Sequence, residues 1–373
     1  MIMKIKRLLT LLLTVAVAFT MCSCSSIVEL EKQAIISAVG IDKGENKKFK
    51  VSAQVFQSMG AGSSTPVDSS QTNTIIVSAE GDTVAQCMND ISYTLGRDIN
   101  IGHSKFIVIG KDALSIPFSE SLDYFLRSEQ TYLGVPVISS KTTARDILDV
   151  KLKNEVETAI AVENIIRTAV ENGNALETDL LSIANSVTAA LPIVEAQKPP
   201  KKDDKEKQEN SEEEDTKLVF SGTQIVHDGK IVYTATAEET MAYCWLEGKL
   251  DKAQLCLAQS PQHLNVNVTL IRRSATIRKI NGEYVMIYKI RAKVKLLDSF
   301  KPISNGCEIC MATKQQLEEM CSEAFAKLTL FPNGDSIGVE KIAKSVYPVA
   351  ALHDDNIFEN CGISVEVECA ADK

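Results

Sequence analysis

The dipeptide Asn281-Gly282 stands between two long runs of strand-forming residues, Asn265 to Ile280 and Glu283 to Leu297. Asn-Gly is the favoured pair for a two-residue turn with positive φ at both positions, and that turn folds its flanks into an antiparallel hairpin. The second arm alternates without a break. Tyr288, Ile290, Ala292, Val294 and Leu296 point one way, and Lys289, Arg291, Lys293 and Lys295 the other. A period of two fits a strand with one buried and one wet face, and fits no helix. Long antiparallel hairpins are foreign to folds made of repeated parallel strand–helix units. The reading is therefore α+β, a multi-domain protein of mixed, mostly antiparallel sheets packed with helices.

The rest of the chain supports this class. Ala34 to Ile41 and Lys48 to Phe56 read as strands joined across Asp42-Lys43-Gly44-Glu45-Asn46, and Thr74 to Ala79 as a third. Ser58 to Thr74, rich in Gly, Ser, Thr, Asp and Asn, reads as a mobile loop. Gly81-Asp82 opens a helix with Asp82 as N-cap, and Val84, Met88, Ile91 and Leu95 share one face. Lys105 to Ile109 is a buried strand, and Leu122, Phe125 and Leu126 mark a short helix. From Thr143 to Leu191 the pattern is helical, broken near Asn172-Gly173-Asn174. Asp228-Gly229 joins Leu218 to Val226 and Ile231 to Thr236 in a second tight hairpin. Helices follow around Glu238 to Leu246, Thr313 to Phe331 and Val339 to Val346, and Ile363 to Cys369 is a last strand. The helices are expected on one face of the sheets, with no strand–helix–strand repeat.

Lys198 to Lys217 divides the chain. Behind Pro199-Pro200 it is almost wholly Lys, Asp and Glu, without an apolar side chain to bury. Such a segment does not offset its own chain entropy and reads as a disordered linker between two folded regions. The expected organisation is a leader over 1–23, an N-terminal region over 24–197 with room for two subdomains, the linker over 198–217 and a C-terminal domain over 218–373.

The leader is read from Lys4, Lys6 and Arg7, an apolar run from Leu8 to Phe19, and the exit Met21-Cys22-Ser23-Cys24. A charged start, a short apolar core and small residues at the exit describe a secretory signal, too short for a permanent span. The exit resembles a bacterial lipobox, with Cys24 as the acylated first residue of the mature chain. Ser23 before Cys24 is small, whereas Met21 before Cys22 is bulky, so Cys24 fits better. Two or three acyl chains suffice to hold a soluble protein at a membrane without a spanning helix.

Candidate chemistry is thin. A net charge of −9 argues against a nucleic-acid partner. Cys87, Cys244, Cys256, Cys307, Cys310, Cys321, Cys361 and Cys369 admit many pairings, and the sequence chooses none. Cys87 on a helical stripe and Cys256 between leucines suit buried thiols. Cys307-Glu308-Ile309-Cys310 is a lone C-x-x-C, without the second pair of a zinc site or the βαβ setting of a redox site. His103, His227, His263 and His353 are scattered, and no P-loop, G-x-G-x-x-G or G-x-S-x-G appears. No catalytic residue, metal site or cofactor is assigned. The cationic arm, with Arg272, Arg273 and Arg278 from its partner, reverses the sign of an acidic chain. It is read as a solvated face that discourages edge pairing, or as a docking face for anionic headgroups or an acidic partner.

Several blocks together resemble the Ger(x)C family, the C-subunit lipoproteins of nutrient germination receptors in endospore-forming bacteria. They are EKQAIISAVGID at Glu31 to Asp42 with the FKVSAQV strand behind it, VSAEGDTVAQCMNDIS at Val77 to Ser92, and GHSKFIVIGKDAL at Gly102 to Leu114. LDYFLRSEQ at Leu122 to Gln130 and TARDIL at Thr143 to Leu148 follow. The C-terminal half adds FSGTQIVHDGKIV, the helix containing MCSEAF, and GDSIGVEKIAKSVYP at Gly334 to Pro348. Val339 stands where the family often has a second glycine, and the Lys198 to Lys217 insert is unusually charged.

The resemblance implies a three-domain α+β fold and a non-enzymatic subunit, lipid-anchored through Cys24 on the outer face of the spore inner membrane. The implied partners are an A-type integral-membrane subunit and a multi-span B-type subunit. Two other classes compete. A solute-binding lipoprotein of an uptake system would show two lobes of strand–helix alternation, and an anchored hydrolase would show a Ser or Cys site in a cleft.

Overall fold

A computed structural model describes residues 6–7, 32–56, 74–150, 158–197, 217–259, 262–298, 306–348 and 357–371. The rest of the expected leader, Cys24, the expected loop at 58–73, the charged stretch 198–216 and His353 lie outside the described residues. Two sheets organise the chain. The first has nine strands in the order β3-β2-β1-β5-β6-β7-β8-β9, with β4 beside β1. These are β1 (Gln33–Lys43), β2 (Phe49–Phe56), β3 (Thr74–Gly81), β4 (Asp98–Asn100), β5 (Ile107–Ile109), β6 (Val137–Ser140), β7 (Thr188–Gln197), β8 (Lys217–His227) and β9 (Lys230–Ala235). The second sheet runs β10 (Lys252–Gln259), β11 (Gln262–Ile280), β12 (Glu283–Asp298), β13 (Gly362–Ala371) in that order.

The mixed α+β class holds, but the centre of the first sheet departs from expectation. β1, β5, β6 and β7 are mutually parallel neighbours, so strand–helix–strand crossovers do occur. From β5 to β6 the chain passes α2 (Phe118–Ser121) and α3 (Asp123–Arg127). From β6 to β7 it passes α4 (Ala144–Leu148), α5 (Thr158–Glu171) and α6 (Leu180–Ala184). Helices also cover both faces. On one, Met88 and Ile91 of α1 (Val84–Leu95), Phe125 of α3 and Leu180 of α6 pack on Ile41, Val51 and Ile109. On the other, Ile147 of α4 and Val162 and Ile166 of α5 pack on Ala38, Val108 and Ile138. Lys105 to Ile109 was read as a buried strand and holds β5, but β6, buried on both faces, has no polar side to alternate and was not read.

Two local expectations are also corrected. Thr188 to Leu191, read as the end of a helical stretch, instead opens β7. The strand keeps Pro192 in its middle because the register with β8 shifts between Pro192 and Val194, where no amide is required of the proline. The N-cap of α1 is Thr83, whose Oγ1 accepts the Gln86 amide at 3.1 Å, and not Asp82. The helix closes on Gly96 in the left-handed region, φ 61°.

β8 pairs antiparallel with β7 along its length, from Thr188 with His227 to Gln197 with Lys217. The two ends of the charged stretch therefore meet at one rung of one sheet. That sheet draws its last two strands from beyond the stretch.

In the second sheet the β11–β12 hairpin and the β13 strand match the sequence reading, whereas β10 was not read; the other tight hairpin, β8–β9, lies in the first sheet. Asn281 and Gly282 have φ 52° and 96°, and Asp228 and Gly229 have φ 46° and 72°, the paired left-handed turns expected of both hairpins. One face of the second sheet is covered by α7 (Ala237–Glu247), α8 (Gly306–Leu328) and α9 (Val339–Val346). Trp245, Tyr243, Tyr288, Met286, Leu317 and Phe325 fill the layer between them. Ile225 and Ala235 of the first sheet belong to the same core, so the two sheets share apolar packing. β13 closes the sheet parallel to β12, and its edge is guarded where Glu318 Oε1 of α8 accepts the Val367 amide at 2.9 Å.

Candidate interaction surface

The blocks that carry the family resemblance converge on one buried carboxylate. Asp42, near the end of β1, accepts the Ala144 amide on Oδ1 at 2.7 Å and the Arg145 amide on Oδ2 at 3.1 Å. It thus caps the start of α4, whose own capping box is made by Thr143 and Asp146. Gly110, just after β5, gives the carboxylate its room, since a β-carbon there would stand 2.0 Å from Oδ1. Gly40 does the same for α4, whose Ala144 Cβ lies 3.0 Å from where its own β-carbon would be. Arg145 reaches back to Ser78 Oγ at 2.8 Å, tying in β3. Burial pushes the Asp42 pKa up, and the two amides oppose that. Four sequence blocks meet here around the buried carboxylate, and the junction reads as a fold latch.

The candidate nucleophiles and ligands are not brought together. His103 is exposed, His227 Nδ1 lies 2.8 Å from Thr188 Oγ1, and the side chain of His263 is outside the described residues. Among the described residues no cluster of His, Cys, Asp and Glu could hold a metal ion, and no described cysteine is in a disulfide. Burial pushes the thiols of Cys87, Cys361 and Cys369 up to about 11 and those of Cys244 and Cys321 up to about 12. An activated thiol needs the opposite shift. Cys307 and Cys310 sit in the first turns of α8. Cys256, expected in the core, is exposed on the outer sheet face because its strand alternates with Leu255 and Leu257 pointing inward.

What the structure does assemble is a surface. Along β12, Tyr288, Ile290, Ala292 and Val294 are buried and Lys289, Arg291, Lys293 and Lys295 are exposed, as the alternation requires. Register extends the pattern across the sheet. Lys252, Thr269, Lys293 and Ala370 form one row, and Gln254, Asn267 and Lys295 the next. Arg272 lies beside Arg291, and Arg278 beside Val285. From β13, Glu366 pairs with Lys289 at 2.8 Å and Glu368 with Arg291 at 2.7 Å. Exposed pairs of this kind contribute little to stability but blunt the local charge.

Arg273 is the exception. A bulge between Leu270 and Arg272 resets the alternation, so Arg273 turns to the helix-covered side. There its guanidinium lies 5.3 Å from the centre of the Tyr288 ring.

A separate cleft of about 620 Å³ opens beside the first sheet. Val135, Pro136, Val137, Ile166 and Val170 line it, and Lys105 and Glu163 pair at 3.3 Å on its wall. No helix among the described residues is long and apolar enough to cross a membrane.

The chain matches two sequence families in tandem. Residues 26–196 match the spore germination protein N-terminal domain, and residues 221–371 match the spore germination B3/GerAC-like C-terminal domain. Spore germination protein YndF of Bacillus subtilis (strain 168) is 28% identical over 177 residues, 41% of this chain and 44% of that protein. Putative spore germination protein YfkR of the same organism is 21% identical over 304 residues, 79% of this chain and 76% of its own length. Among solved structures, the crystal structure of the GerBC protein superposes with a TM-score of 0.55 at 14% identity, covering 90% of this chain and 97% of the other. At that identity the likeness concerns the fold.

Proposed function

Because the chain belongs to the spore germination protein family represented by both matched domains, we propose that it is a membrane-anchored, non-enzymatic subunit of a spore nutrient germinant receptor. A role in spore germination follows from the family itself. The finer reading is that Cys24 carries the acyl anchor, that the protein sits on the outer face of the spore inner membrane, and that it works beside A-type and B-type integral-membrane subunits.

The observation that carries the reading is the order of the two matches over nearly the whole chain, behind a leader that ends in Ser23-Cys24. The test is genetic. Spores lacking the protein should lose the response to particular nutrients and still germinate with an agent that acts beyond the nutrient receptors. Unchanged nutrient responses in single and combined receptor deletions would defeat the proposal. So would a single side-chain change in a cleft that abolishes function while the protein stays folded and membrane-bound.

A further inference from the structure

We propose that Cys310 of α8 and Cys369 of β13 form a dithiol pair that closes into a disulfide, sewing the last strand of the second sheet to the helix that covers it. Two fixed contacts bracket the pair. At the start of α8, a β-carbon on Gly306 would stand 3.4 Å from that of Ala371. Further along, Glu318 Oε1 accepts the Val367 amide at 2.9 Å. Moving up the helix therefore means moving back along the strand, and both cysteines lie between the same two contacts. From Gly306 to Cys310 the helix rises about 6 Å, and from Ala371 to Cys369 the strand retreats about 6.6 Å. The two cysteines thus reach one level.

Both also face the seam. Cys310 lies one turn beyond Gly306, on the stripe that Thr313, Leu317 and Cys321 continue into the core. Cys369 follows Val365 and Val367 on the inner side of β13, and joins Ile309 and Ala312 at the margin of that core. The 3.4 Å approach at Gly306 is already as close as the β-carbons of a disulfide, about 3.5–4.5 Å apart. Burial first, and the Cys310 thiolate next, push the Cys369 thiol up to about 11, so each sulfur lies within reach of the other's charge. The C-x-x-C partner fits less well. Cys307 and Cys310 are three apart within α8, which holds their β-carbons about 5–6 Å apart, too far for a disulfide without unwinding the first turn.

Burial raises both the Cys310 and the Cys369 thiol, so closure takes a disulfide donor from outside. The Cys310 thiolate attacks a small disulfide, breaks its S–S bond and releases one small thiolate. The Cys369 thiolate then attacks the Cys310 sulfur of the mixed disulfide and expels the second. Two protons pass to solvent, and two electrons pass to the small disulfide, which leaves as two thiols. Among the described strands β13 pairs with β12 alone, and exposed ion pairs at Glu366 and Glu368 tie its outer face. The new bond would tie its inner face and close a loop of about 60 residues.

The experiment incubates the purified full chain with oxidised glutathione, alkylates the remaining thiols and maps crosslinks by peptide mass spectrometry, beside a melting curve. A Cys310–Cys369 crosslink is expected, with the melting temperature raised by roughly 5–10 °C and restored by dithiothreitol. Cys310→Ser and Cys369→Ser should each abolish the rise, whereas Cys307→Ser should keep both crosslink and rise. The crosslink map of the wild type decides by itself, whatever a serine does to the reduced fold. Absence of that crosslink would overturn the proposal, whether as a Cys307–Cys310 bond in its place, a glutathione adduct left on Cys310, or thiols that stay open to alkylation. So would a crosslink that fails to raise the melting temperature, because the fold would then have to distort to form it.

Discussion

Asp42 reaches the amides of α4 because Gly110 has no side chain: a β-carbon on Gly110 would stand 2.0 Å from the same Oδ1 that takes the Ala144 amide at 2.7 Å. Residues far apart in the chain are thereby fixed to one another, since neither the carboxylate nor the strand behind it has room to give. Gly110→Ala should cost about 2–4 kcal/mol, in the range of overpacked and cap-breaking changes. Asp42→Ala alone should cost about 1–2 kcal/mol as a lost cap. In the double variant the second change should add far less than it does alone, because the clash has lost its partner. Denaturant melts of the four proteins measure this, and additive costs would contradict the contact.

Glu239 should give the stability an acid limb. Its Oε2 accepts the Tyr233 hydroxyl at 2.6 Å and the Thr236 amide at 2.9 Å, and its Oε1 takes Lys327 Nζ at 2.9 Å. Burial alone would push the carboxyl up, but Tyr233, the Thr236 amide and Lys327 outweigh it and hold the folded pKa below the ordinary 4.5. A lowered folded value means that the stabilisation is complete above the unfolded pKa and disappears as pH falls through the folded one. Wild-type stability should therefore drop from about pH 5 downwards more steeply than that of Glu239→Gln. At neutral pH, Glu239→Ala should cost about 1.5–3 kcal/mol.

The rung between Gln197 and Lys217 makes a construction possible. Replacing residues 198–216 by Asn-Gly should close β7 and β8 with a tight hairpin turn and leave the fold intact. Shortening the closed loop this far should raise stability by about 1–2 kcal/mol. A loss of several kcal/mol would mean that the charged stretch holds the fold directly.

Cys24→Ala should move the protein from the membrane to the soluble fraction of spore extracts. Retention in the membrane, with no lipid mass on the mature N-terminal peptide, would defeat the acylation reading.

Legibility in the sequence tracked locality. Both tight hairpins were visible because Asn281-Gly282 and Asp228-Gly229 are chemically suited to the positive φ they adopt. Val339–Val346 was read to the residue, with Val339 and Ala343 buried one turn apart. The cationic face was visible through alternation, and only the bulge at Leu270 to Arg272 misplaced Arg273. Of the parallel centre, β5 was visible as the apolar run Lys105 to Ile109, while β6 is short, buried throughout and stayed hidden, and so did the parallel pairing. In β7, Leu191, Pro192, Ile193 and Val194 form a continuous apolar run that gives no period to read. The Asp42 latch was hidden for another reason. It joins residues about a hundred positions apart, and nothing local in Asp42 or Ala144 announces the other.

The pairing of β7 with β8 also governs how the protein can be made. A ribosome delivers β7 first, with its outer edge from Thr188 to Gln197 open until the chain beyond Lys217 has followed. An open edge next to a parallel, slowly formed sheet centre is where aggregation starts. Synthesis must therefore run past Ala235, the end of β9, before the first sheet has all its strands. A gene split at the charged stretch would yield one polypeptide with a bare sheet edge and another with two orphaned strands.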